Sequence, residues 1–95
     1  MKAEFKLYCE SGAIVAVSNV IQKACGLIVV GEVKKGNLKN KGTVCIKVDT
    51  KPPLYDEVKR IEIDHEEVIA ATNGQLIGIR LANLSKEGFI QYLTN

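Results

Sequence analysis

Residues 26–47 read GLIVVGEVKKGNLKNKGTVCIK. Leu27, Ile28, Val29 and Val30 lead into Gly31, then Glu32-Val33, then Lys34-Lys35-Gly36, and Gly42 opens a second apolar run from Val44 to Val48. β-Branched residues suit a pleated, half-buried surface, and glycine among polar residues between two such runs marks a turn. The order predicts a hairpin: a strand, a glycine-kinked exit at Gly31, a tight basic turn through Gly36, and a returning strand entered at Gly42.

Outward from this stretch, strand signals continue in both directions. Glu4–Cys9 alternates, with Phe5, Leu7 and Cys9 on one side and Lys6 and Tyr8 on the other, and Ser11-Gly12 is a turn. Residues 13–25, AIVAVSNVIQKAC, fit two periods. Ile14, Val17, Ile21 and Cys25 recur at helical spacing, whereas Val15, Val17, Asn19 and Ile21 alternate with Ile14, Ala16 and Val20. The β-branched content favours the strand. Asp49–Asp56 reads as a loop, since Pro52 and Pro53 donate no ladder hydrogen bonds. Val58–Ile63 alternates only after a shift between faces, which leaves its register open. Asn73-Gly74 is a turn signal, and Leu76–Leu81 is a late strand interrupted by Gly78, a candidate bulge or close backbone approach. Ser85–Gly88 reads as a turn or a single helical turn, and Phe89–Leu93 as the last strand. Six or seven short strands with turns every 8–12 residues predict a small barrel or sandwich, and closure would remove exposed edges.

The chain has 95 residues, enough for one domain spanning 1–95 and one core. A chain of this size buries roughly 60–65% of its unfolded surface and needs no covalent staples. Aromatic residues make up 5% and tryptophan is absent, which argues against wide stacking platforms for bases. The formal net charge is +2. Lysines dominate residues 1–51, while acids outnumber bases in 52–95. Such asymmetry marks a basic face unless folding averages it out. Cys9, Cys25 and Cys45 form no CxxC pair, and His65 is the one histidine. That pattern fits neither a zinc site nor a disulfide framework; free thiols in a reducing cytoplasm are expected. No apolar run reaches the ~20 residues of a membrane span, and the acidic N-terminal segment does not resemble a signal peptide.

Several motifs in fixed order resemble the β-barrel that follows the GTPase domain in elongation factor Tu and its relatives. Gly26, Ile28-Val29-Val30, Gly31-Glu32-Val33, Gly36, Lys39 and Gly42 match its opening pattern, although Gly42 follows Lys41 where the family often has Val-Gly-Asp. Val58-Lys59-Arg60-Ile61-Glu62-Ile63 and the eleven residues Ala71–Leu81 match the later strands. Glu87–Leu93 lacks the family's second closing glycine. The resemblance covers about residues 14–93. It implies an all-β, closed six-stranded Greek-key-type barrel like the translation-protein barrels, free-standing here. In the larger proteins of that family this barrel contacts RNA, the ribosome or the neighbouring GTPase domain, contacts that do not transfer automatically to an isolated barrel. No GxxxxGK[ST] loop is present, so GTP hydrolysis in the P-loop manner is excluded.

The candidate sites follow. Lys34, Lys35, Lys39, Lys41, Lys47 and Lys51 fall within eighteen positions, with Asp49 the one acid after Lys34. They suit either phosphate contacts or a solvated tip that keeps the sheet unpaired. Gly31, Gly36, Gly42, Gly74 and Gly78 are expected at structural turns, with Gly78 alternatively a bulge or close approach. His65, beside Asp64, Glu66 and Glu67, is a base or ligand only with a second partner; otherwise it is a surface imidazole. Cys25 and Cys45 sit in strand-like apolar sequence and are expected as small core residues. Ser11 and Ser18 lack a nucleophile-elbow context. No nucleophile, base and stabiliser assemble, and no motif requires a cofactor or metal. The expectation is a non-catalytic binding module for RNA or a ribonucleoprotein. The alternative is a protein-interaction module docking on a larger enzyme, a GTPase or a second copy.

Overall fold

The computed structural model describes residues 2–24, 26–47 and 51–94. Their elements are β1 (Lys2–Cys9), β2 (Ile14–Lys23), β3 (Gly26–Lys35), β4 (Asn37–Lys39), β5 (Thr43–Lys47), β6 (Leu54–Ile63), β7 (Glu66–Val68), β8 (Ala70–Thr72), β9 (Leu76–Leu81) and a helix, α1 (Lys86–Thr94). Antiparallel pairing runs β5-β1-β2-β3-β9-β6, and β6 pairs back onto β5. The ring is a closed six-stranded barrel, as expected. The fourth barrel strand, β5, returns beside the first, which is the Greek-key order. β7 adds a short edge to β6, while β4 and β8 form a separate ribbon.

Alternation places one side of each strand in a single core. In β2, Val15 and Val17 point inward, Ser18 is an extra residue opposite β3, and Val20 is inward again. Residues 14–23 of this segment are thus one strand with a bulge, which reverses the phase. The same device explains β6. A register irregularity between Val58 and Arg60 lets both Val58 and Ile61 face the core.

The expected hairpin over residues 26–47 does not form. β3 pairs with β2 and β9, and β5 pairs with β1 and β6. Gly36, at φ 75°, turns the chain across the barrel instead of back along it. Leu38 then enters the core at 1% exposure, opposite Ala71 in the β4–β8 ribbon. Burying Leu38 requires a crossover, which a tight two-residue turn would not allow. The expected loop at 49–56 also needs correction. β6 begins at Leu54, directly after the two prolines, and residues 48–50 lie outside the described residues.

The expected last strand, Phe89–Leu93, is part of α1. Ser85 starts the helix: its hydroxyl accepts the Gly88 N–H at 3.1 Å and its carbonyl accepts the Phe89 N–H at 2.9 Å. The first helical N–H, that of Lys86, is taken by Gln22 Oε1 at 2.7 Å. These contacts satisfy donors that a helix start leaves orphaned. Phe89 is fully buried, while Ile90 and Gln91 are exposed. A one-sided pattern of this kind suits a covering helix better than a barrel strand. Tyr92 Oη donates to Pro52 O at 2.7 Å and tethers the helix near the end of β5.

Candidate interaction surfaces

The six lysines do not share one turn. Lys34 and Lys35 close β3, Lys39 lies on β4, and Lys41 sits in the turn into β5 at φ 65°. These four are exposed along one crossover. Glu32 lies 3.2 Å from Lys34 and is the one carboxylate within ion-pair reach of any of them among the described residues. Lys47 lies at the far end of β5, about 13 Å further along the strand, and Lys51 precedes Pro52 near α1. The basic segment is therefore split between the two ends of β5.

The glycines serve different purposes. At Gly31, a Cβ would collide with the carbonyl oxygen of Ala16 across the β2–β3 bulge, so its role is close approach rather than an unusual φ. Gly74 has φ 92° in the turn before β9, a conformation that side chains resist. Gly42 and Gly78 show neither feature. Gly78 stands in regular register between Val30 and Glu62, with no bulge at its position.

His65 and Asp64 are the two central residues of the β6–β7 turn, with φ 67° and 52°. Both values lie in the left-handed region that a two-residue hairpin needs. His65 is exposed there, and among the described residues no three His, Cys, Asp or Glu side chains gather as metal ligands. Nearby, Arg60 and Arg80 face each other across β6 and β9, and both approach Glu62 Oε2, at 3.0 and 3.1 Å. Arg80 Nη2 donates to it. Arg60 Nε is close enough for charge attraction, but its N–H is not aligned to donate. Glu62 thus holds two guanidiniums together on the outer face.

Cys25 lies outside the described residues. Cys45 is not a core residue, because Val44 and Ile46 take the inward positions of β5 and Cys45 must face outward. Cys9 packs against the core, and burial pushes its thiol up to about 11.

The pairings of β1, β5 and β6 reveal a surface the sequence did not announce. Tyr8 lies opposite Cys45, and Cys45 lies opposite Tyr55. Both tyrosines are exposed, at 37% and 66%. Lys6 lies opposite Lys47 in the adjoining row. The outward position of Lys6 and Tyr8 was legible from alternation. The position of Tyr55 was hidden in a segment expected to be loop.

No protein-family model and no curated protein matches this sequence.

Proposed function

We propose that this chain is a non-catalytic binding module for RNA or a ribonucleoprotein. The observation that carries it is the crossover between β3 and β5. It presents Lys34, Lys35, Lys39 and Lys41, and among the described residues Glu32 alone offers any of them a carboxylate. Lysine is a compact point charge, so these side chains suit phosphate rather than base edges. The resemblance to the barrels of translational GTPases supports the same reading. The decisive experiment is a titration of a labelled single-stranded RNA at low and physiological salt, with wild type and a variant carrying Ser at all four positions. Salt-sensitive binding lost in the variant is expected. Absence of binding at low salt overturns the reading.

A second reading is a protein-docking module. Ile69 and Leu76 are 84% and 69% exposed, an unusual investment of large apolar side chains on a small barrel. Self-association weakened by Ile69→Ser and Leu76→Ser, with RNA binding absent, would favour it.

A further inference from the structure

We infer that the outer face of β1, β5 and β6 is a stacking cleft for a base of single-stranded nucleic acid, with the adjoining phosphate on Lys6 and Lys47. The inference rests on the nucleic-acid reading above and assigns the bases to a surface adjoining, but not formed by, the crossover lysines.

Strand register builds the cleft. Tyr8, Cys45 and Tyr55 form one outward row across three neighbouring strands. The two tyrosines stand two strand spacings apart, about 9.5 Å between backbones. A planar base in contact with a ring on each side needs ring planes roughly 7–8 Å apart, twice the optimal carbon–carbon separation. A small inward lean of each ring meets that requirement. Cys45 between them is small and leaves the floor open, and a cavity of about 260 Å³ lies over this row. Both tyrosines are exposed, and every base has a face that stacks on an aromatic ring.

Charge gives the cleft a direction. Lys6 and Lys47 are directly opposed, and like charges across a strand pair are destabilising on their own. Among the described residues, no carboxylate lies within ion-pair distance of either. A phosphate between them relieves the repulsion. Their row is two residues from the tyrosine row, about 6.8 Å along the strands, a separation of nucleotide scale. On the other side of the tyrosines, Glu57 lies opposite Thr43, and the Glu10 N–H donates to Thr43 O at 3.0 Å. The two carboxylates disfavour phosphate directly beside the tyrosines there, with Lys39 and Lys41 lying beyond Glu10 and Thr43 in the adjoining pocket. A carboxylate accepts hydrogen bonds from an exocyclic amino group, so cytosine or adenine fits this end better than uracil. An acidic peptide would answer the lysines but makes no use of two exposed tyrosines and would be repelled by Glu10 and Glu57.

The test uses labelled oligocytidylate and oligouridylate of equal length with the full chain. Variants are Tyr8→Ala, Tyr55→Ala, their Phe counterparts, and the quadruple Ser variant of the crossover lysines. The chain has no tryptophan, so tyrosine emission itself reports stacking. Each Tyr→Ala change should weaken binding by about tenfold, and the Phe variants should bind like wild type. Oligocytidylate should quench tyrosine emission and bind more tightly than oligouridylate. Lys6→Ser with Lys47→Ser should reduce the magnitude of the log–log salt slope by about 0.7, the value for one phosphate of a single strand. Wild-type affinity in both Tyr→Ala variants, or binding without quenching, overturns the cleft; loss of binding in the crossover variant would then leave the broader RNA reading intact. Loss in the Tyr→Ala variants with full binding by the crossover variant supports the cleft and overturns the crossover as the site. Failure of wild type to bind either oligonucleotide overturns both.

Discussion

The Asp56 carboxylate accepts a hydrogen bond of 2.7 Å from the Leu84 backbone N–H, joining the start of β6 to the linker between β9 and α1. The Asn83 N–H reaches both Asp56 oxygens at 3.2 Å, the Asn83 side-chain amide donates at 3.1 Å, and the Glu57 N–H donates at 2.7 Å. Asp56 is the one buried charged side chain among the described residues. Three of its four donor groups are backbone N–H groups, two of them in the linker, so the carboxylate organises a turn that has no glycine of its own. The helix that follows is thereby aimed so that Phe89 enters the core.

Asp56→Ala should cost about 2–3 kcal/mol, because several N–H donors lose their acceptor in a site closed to water. Urea unfolding would measure it. An unchanged midpoint would show that water replaces the carboxylate freely.

Gly31 and Gly74 should fail for different reasons. Gly31→Ala forces a methyl against the Ala16 carbonyl and should cost roughly 1–3 kcal/mol by overpacking. Gly74→Val should cost a similar ~1–3 kcal/mol, because φ 92° is hostile to a β-branched residue although the surrounding space is open. Gly42→Ala, with only an ordinary contact to Lys39 O at 3.5 Å, should be nearly neutral. Thermal melts of the three variants would separate crowding from backbone strain.

Ser85→Ala should destabilise the fold by about 1 kcal/mol through loss of the helix cap. Phe89→Ala should cost about 3–5 kcal/mol. A small effect at Phe89 would contradict its burial in the core.

The Cys9 thiol should alkylate slowly at pH 8, and its rate should rise towards pH 11. Burial favours the neutral thiol, so its contribution to stability is complete below the unfolded value of 9.0 and is lost as pH rises to about 11. Iodoacetamide labelling with peptide mapping across this range would follow it. Rapid labelling of Cys9 at pH 8 would contradict the burial.

For the crossover lysines, the log–log salt slope of RNA binding should be about −2 to −4, in proportion to the phosphates contacted. A slope near zero would place the contacts on uncharged groups.

The barrel was legible because β-branched alternation and glycine positions report a pleated, half-buried sheet directly. The partners of each strand were less legible. Gly36 and the lysines around it look the same in a hairpin as in a crossover, and the difference lies in Leu38, whose burial depends on Ala71 far along the chain. Bulges at Ser18 and near Lys59 scrambled local periodicity in the two segments whose phase was hardest to read. The helix at 86–94 was mistaken for a strand because Phe89 to Leu93 is short and partly apolar; Ser85 was the available start signal. The lysines were individually visible, but the Tyr8–Cys45–Tyr55 row exists only through tertiary pairing.

The crossover also bears on how the barrel is reached during folding. The meander β1-β2-β3 joins neighbours in sequence and can form early. The ring is sealed by β1 with β5 and β3 with β9, pairs whose strands are distant in the chain. Loop-closure entropy must be overcome before those pairs return any stability, so folding should be slow for a domain of this size. Until then the free edges of β1 and β3 are templates for another copy. Gly36 turns the chain away from β3 at the moment when a simple hairpin would have covered that edge.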